Sequence, residues 1–362
     1  MTEHERVLVL GLDGVPWSLL DPWLTAGKLP HLAALIANGV RGDLRSTIPY
    51  VTAPAWVSCV TGVNPGKHGV HDFAVRRGND YGVDVINSTW VRAKTLWAML
   101  GEHGRRVGLV NVPVTYPPQP VNGAVVACML TPSLSSRFTY PDDLRDDLLA
   151  AVPGYMIEPM TPSSDLARTK AELAHNLERS VNARAAATRW LMERLGDWDF
   201  FMTVFTEPDR LMTYAWDDFD PSHPRHDPRQ AATHGDLFLR HYQHLDAVVG
   251  GFVREWKDRA TIIIVSDHGF AGVYRFFYPN VWLQQNGYLT LRAGARPTAL
   301  ARAKAAARRL GLAHQAKRLA RRLWPDWGFT TGARSAEFLQ AVDWGRTRAY
   351  WGADNGLTIN LQ

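Results

Sequence analysis

Arg6–Leu12, RVLVLGL, runs directly into Asp13 and Gly14. Five of its seven residues are Val or Leu, and no polar residue alternates with them, so it predicts a strand buried on both faces. Three segments share this character: residues 105–112 (RRVGLVNV), 199–205 (DFFMTVF) and Ala260–Val265 (ATIIIV). Between them lie helix-forming stretches at 92–103 and 167–195, and a stretch with apolar helical periodicity at 237–257. Strands alternating with helices predict an α/β domain with a mostly parallel sheet.

Two stretches break this rhythm. Residues 119–165 are rich in Pro, Ser and Thr and are expected to form a loop-rich insertion within a catalytic core of 1–290. Residues 291–330 are Ala- and Arg-rich and are expected to form one or two basic amphipathic helices, as a cap or an excursion from the core. Residues 331–362 then return to the core, with truncation of a longer chain as one reading of its end. Apolar residues are 46% of the 362 and charged residues 21%, which suits a globular protein with a substantial core. The net charge of +5 gathers largely between 296 and 322. It is compatible with an anionic substrate and equally with a solvated helix face.

Cys59 and Cys128 are too few for a disulfide framework and are expected as two buried free thiols in a reducing cytoplasm. The first residues lack the pattern of a secretory leader. No apolar run reaches the roughly 20 residues a membrane span needs. The expectation is a soluble cytoplasmic protein, with oligomeric state unread and no nucleic-acid partner evident. A Walker loop is absent from the sequence, which disfavours a nucleotide-driven motor.

The chemistry gathers where the apolar runs stop. Residues 6–12 lead into Asp13, residues 199–205 into Glu207, Pro208 and Asp209, and Ala260–Val265 into Asp267 and His268. Open α/β sheets bind ligands outside the carboxyl ends of their strands, so these side chains converge on one edge. A single Asp there most often caps the next helix. Three carboxylates together would raise one another's pKa, and a divalent cation removes that cost. Asp with His suits zinc or manganese better than calcium or magnesium. Thr52, in TAPAWVSCVTG, stands where a helix begins, with Gly62 as its stop. Read alone it is a helix cap; beside a cation it is a hydroxyl that can attack a phosphate.

Taken in order, these motifs resemble the type I phosphodiesterase/nucleotide pyrophosphatase branch of the alkaline phosphatase superfamily. They are the segment from Leu8 to Gly14, Thr52 to Gly62, Asn64 to Gly69 (NPGKHG), Glu207 to Arg210 (EPDR) and Val265 to Gly269 (VSDHG). The resemblance implies a three-layer sandwich with a loop or helical insertion near the active site. It implies hydrolysis of a phosphorylated small molecule through a phospho-threonine at Thr52, with two divalent metals, zinc or manganese. By position, Asp13, Asp267 and His268 would bind one metal with Thr52, and Asp209 the other.

This chain departs from the family at the second metal. Thr213 stands where a His follows the Asp by one helical turn, and no late His ligand is visible before Gln362. His223, His226 or His234 would have to substitute, or the protein works with one metal or with weakened turnover. A phosphomutase or phosphonate hydrolase on the same scaffold is a further alternative. His241 and His244 read as exposed histidines on an amphipathic helix, His68 as a turn residue, and Arg210 as a phosphate contact or a surface ion pair. The segment Cys59-Val-Thr-Gly-Val63 lacks the Pro and Arg of a sulfatase nucleophile motif.

Overall fold

A computed structural model describes residues 6–76, 83–162, 165–234, 236–292, 338, 340–352 and 356–361. In chain order its elements begin with β1 (Arg6–Leu12), α1 (Trp17–Thr25), α2 (Pro30–Asn38), α3 (Thr52–Thr61) and α4 (Pro65–His68). They continue with β2 (Ala74–Arg76), β3 (Val83–Val85), α5 (Leu96–Glu102), β4 (Val107–Val110), β5 (Gly123–Val126), β6 (Thr139–Tyr140) and α6 (Leu144–Ala151). Then come α7 (Leu166–Leu195), β7 (Phe200–Phe205), α8 (Glu207–Phe219), α9 (Pro228–His234), α10 (Leu237–Trp256) and β8 (Ala260–Val265). The last are α11 (Pro279–Gln285), β9 (Ala349–Trp351) and β10 (Leu357–Ile359).

The chain divides into two compact units, residues 1–71 with 86–274 and residues 72–85 with 275–362. The boundary expected at 290 therefore moves to 275, and 72–85 joins the later unit. That unit holds two antiparallel pairs, β2 with β3 and β9 with β10, and a small core of Leu283, Leu289, Ala349 and Tyr350. The basic stretch expected at 291–330 lies, apart from Leu291 and Arg292, outside the described residues.

The larger unit is a three-layer α/β sandwich. Its sheet runs β6-β5-β4-β7-β1-β8, all parallel except β6, which is antiparallel to β5. The inner strands β4, β7 and β1 bury both faces, as their apolar sequences require. Leu8, Leu10 and Leu12 of β1 pack with α7, α8 and α10 residues such as Leu177, Leu211 and Leu245. Val9 faces the other way, with Trp56 and Val60 of α3 and Trp97 of α5. No helix among the described residues is long and apolar enough to cross a membrane.

Three expectations change. Residues 119–165 are not simply an insertion, because they supply β5, β6 and α6. β8 packs on one face only, with half-buried Ile262 and Ile264 against the core and Ile263 44% exposed, because it sits at the sheet's edge. Cys128 is buried, but Cys59 is exposed on the same open side.

Candidate active site

The parallel register places the site. Gly11 of β1 lies opposite Val265 of β8, and Leu12 opposite Phe205 of β7, so all three strands end level. Asp13, the β7–α8 turn and Asp267 emerge side by side. Two bonds stitch the turns: Gly14 N–H donates to Asp267 Oδ1 at 3.0 Å and Val15 N–H to Ser266 Oγ at 2.9 Å. Gly14 has φ of 74°, and a Cβ there would stand 3.3 Å from the His268 ring. Glycine meets both demands.

From the opposite layer comes α3. Its Trp56 donates an indole N–H to Asp13 Oδ2 at 3.0 Å. The indole reaches this far because β1 has no side chain at Gly11, where a Cβ would sit 2.5 Å from Trp56 Cη2 and 2.9 Å from Val204. Thr52 does not cap its helix: the N-cap is Val51, with no side-chain bond. Its hydroxyl instead lies 3.3 Å from Asp13 Oδ1 and 3.2 Å from His268 Nε2.

The four groups Asp13, Thr52, Asp267 and His268 thus meet. His268 Nε2 is 3.6 Å from Asp13 Oδ1 and 3.3 Å from Asp267 Oδ2. Ligand bonds of ~2.0–2.2 Å around a tetrahedral zinc would set neighbouring donors ~3.3–3.6 Å apart, so these spacings fit a metal. Among the described residues, buried Asp267 Oδ2 has no hydrogen-bond donor, as a ligand atom would not. Ligand atoms of Asp13, Asp209 and His268 also lie within 4.8 Å of one another.

Electrostatics agree with that fit. Burial raises the Asp13 carboxyl well above its usual range, and Asp267 and Asp209 add to the rise, against smaller opposing effects of His268 and Arg210. Burial likewise pushes Asp267 up to about 8, against the backbone N–H groups that stabilise its charge. Metal-free, these carboxyls hold protons that a dication would displace.

The second metal position fits less well. Asp209 Oδ1 accepts from Arg210 Nη1 at 2.8 Å. Thr213 is exposed. Nor do the three substitute histidines join the cluster. His223 has Nε2 3.1 Å from Val273 O, and its Nδ1 accepts Arg225 N–H at 3.2 Å. The Nδ1 of His226 is 2.8 Å from Asp217 O. His234 is 3.1 Å from Asp218, which also pairs with buried Lys170. Among the described residues, Asp209 alone remains of the expected second set.

Other candidates resolve individually. His68 is buried and bridges Ser58 Oγ at 2.9 Å and the N–H of Val70 at 3.1 Å. Burial, with His71 nearby, pulls it down to about 4. His241 faces the core rather than solvent, with no hydrogen-bond partner among the described residues on either ring nitrogen, and burial lowers it to about 4. His244 bonds Asn182 Oδ1 at 2.9 Å, and the two do not form a metal site.

Glu158 and Asn111 were not singled out by the sequence, and Glu207, expected among the acidic groups at this edge, instead bonds Ser180 and Arg184. Glu158 holds Arg210 across two bonds, 2.9 Å from Nε and 3.2 Å from Nη2. Glu207, fully buried at the start of α8, accepts from Ser180 at 2.6 Å and Arg184 at 3.0 Å, which fixes the helix carrying Asp209. Asn111, with φ of 55°, donates to Val204 O at 2.8 Å and ties β4 to the end of β7. A lone Asn after a strand is compatible with left-handed backbone, and Gly11 in an otherwise aliphatic strand signals a close approach. Glu158 carried no such local signal.

A family model described as type I phosphodiesterase / nucleotide pyrophosphatase matches residues 7–324. No protein of curated function matches the chain. Among solved structures, phosphonoacetate hydrolase from Sinorhizobium meliloti 1021 in complex with phosphonoformate is 19% identical, with a TM-score of 0.48 over 78% of this chain and 62% of that one. The same hydrolase with phosphonoacetate is 18% identical, with a TM-score of 0.48 over 82% and 66%. Phosphonate monoester hydrolase from Silicibacter pomeroyi is 15% identical, with a TM-score of 0.34 over 73% and 62%. The chain spans less than two thirds of each of these chains.

Proposed function

Because the chain belongs to the type I phosphodiesterase / nucleotide pyrophosphatase family, we propose that it hydrolyses phosphodiester or pyrophosphate bonds of small phosphorylated molecules, with Thr52 as nucleophile. One observation carries this reading. The Thr52 hydroxyl is not used as a cap and lies within 3.3 Å of Asp13 Oδ1 and 3.2 Å of His268 Nε2. Held by Asp13, Thr52, Asp267 and His268, a zinc or manganese ion would neutralise the carboxylates and lower the pKa of the hydroxyl.

Thr52 Oγ1 forms a bond to phosphorus as the bond from phosphorus to the leaving oxygen breaks. The hydroxyl proton, already directed at Asp13 Oδ1, leaves to solvent, and the leaving oxygen takes a proton from water. Water then bonds to phosphorus with loss of its proton, and Thr52 departs and is reprotonated. Thr52 begins α3, where free backbone N–H groups and the helix dipole favour a phosphate. Trp56 holds Asp13 from behind throughout.

Hydrolysis of bis-p-nitrophenyl phosphate with added zinc or manganese, and its loss in Thr52→Ala, is the expected result. Mass spectrometry of acid-quenched enzyme should find phosphate on Thr52. Full activity in Thr52→Ala would end the proposal. A second reading, a phosphoester-binding protein with weakened turnover, is favoured by exposed Thr213 and by the engagement of His223, His226 and His234 elsewhere. Binding of phosphate esters without any turnover in the presence of metal would select it.

A further inference from the structure

The misfit at the second metal has a specific form: a cation is already there. Arg210 Nη1 lies 2.8 Å from Oδ1 of Asp209, one of the two oxygens of the carboxylate expected at that position. Asp209 in turn shares with Asp13 and His268 a cluster of ligand atoms within 4.8 Å. The guanidinium is fixed. Glu158 takes Nε–H at 2.9 Å and one Nη2–H at 3.2 Å, and Met129 Sδ is 3.3 Å from Nη2. Among the described residues, four of its five N–H groups have partners, and the fifth is the second N–H of Nη1, the nitrogen that also bonds Asp209.

We propose that Arg210 takes the place of a second metal, so that the site works with one divalent ion and one fixed guanidinium. The proposal rests on the hydrolase reading above. A dication bound to Asp209 would stand against this guanidinium, and like charges at that range repel. Moving Arg210 aside would break its pair of hydrogen bonds to Glu158, a planar match that favours arginine over lysine. The arginine side chain is 20% exposed rather than sealed in the core.

The role is electrostatic. As the bond between phosphorus and the leaving oxygen breaks, negative charge gathers on the oxygens around phosphorus, and the free Nη1–H donates to one of them. No proton is transferred, because a guanidinium keeps its charge at any ordinary pH, and Glu158 and Asp209 both bond this one. Glu158 is a positioning residue, since it sets which edge of the guanidinium faces the site.

Metal-depleted protein titrated with manganese tests this directly. One tight equivalent per chain is expected, with the electron paramagnetic resonance spectrum of isolated Mn(II). Two tight equivalents, or the spectrum of an exchange-coupled pair, would overturn the proposal without touching the Thr52 chemistry. With manganese bound, Arg210→Met should lower kcat about 10²–10³-fold, the cost of losing one donor to developing charge, with metal content unchanged. Arg210→Lys should recover part of that loss, and Glu158→Gln should lower kcat while the single equivalent stays. An unaltered kcat in folded Arg210→Met would refute the arginine's role. Unaltered turnover in Thr52→Ala would instead refute the hydrolase reading and leave the metal count standing.

Discussion

Removing metal from this protein should make it less stable as the pH rises. An unfolded Asp ionises near 3.8, whereas folded Asp267 holds its proton to about 8. Between those values the folded state binds the extra proton, so each rise in pH draws down stability. At ~1.36 kcal/mol per unit, the full interval amounts to something on the order of 5 kcal/mol for this one buried group. Part of the interval is confounded. Buried His68 and His241 are lowered from 6.5 to about 4, and their contribution is lost as pH falls through that range. The two effects oppose one another below pH 6.5, which leaves pH 6.5–8 as the clean window. There the metal-free protein should lose about 2 kcal/mol, with buried Asp13 acting in the same direction. Urea unfolding of chelator-treated protein at several pH values measures this. Zinc or manganese should remove the slope, and Asp267→Asn should flatten it in the metal-free protein. Metal-free stability that is level or climbs from pH 6.5 to 8 would refute the convergence of unneutralised carboxyls.

Three further outcomes are accessible. His241, fully buried and unpartnered, should cost about 3 kcal/mol as pH falls from 6.5 to 4, and His241→Leu should weaken that acid sensitivity in the same unfolding assay. Gly123 has φ of 143° and a Cβ there would sit 1.9 Å from Val107 O, so Gly123→Ala should destabilise by roughly 3 kcal/mol or more, read as a fall in Tm. Trp56→Phe removes the N–H that Asp13 accepts and should cost roughly 1–3 kcal/mol while lowering kcat; an unchanged kcat would show that the indole does not position Asp13.

The long parallel strands were legible because the cover on them, two-sided for β1 and β7 and one-sided for β8, is written as runs dominated by Val, Leu, Ile and Phe. Asp13, Asp267 and His268 were legible for the same reason, as polar residues immediately after such runs. β5 and β6 were not: they are short, and β5 opens on Gly123, whose value is its φ rather than its side chain. His241 was misread as exposed because helical periodicity tolerates a polar residue on either face, and only packing against α7 decides. Thr52 was read as a possible cap, which the local sequence permits; its actual partners come from β1 and from the turn after β8. Glu158 lies 52 residues from Arg210, and nothing local announces that pairing.

The missing side chain at Gly11 also governs how the site moves. With the Trp56 ring occupying that space and gripping Asp13, α3 and β1 share one displacement, and the 3.3 Å gap between the threonine oxygen and the aspartate oxygen travels with them. The segment leading into α3 turns Leu44, Ile48 and Tyr50 outward yet is pinned to the same site, because Ser46 Oγ donates to Asp267 O at 2.8 Å. Positions 11 and 56 form a single exchangeable volume: enlarging one demands shrinking the other before the reacting pair can be re-spaced.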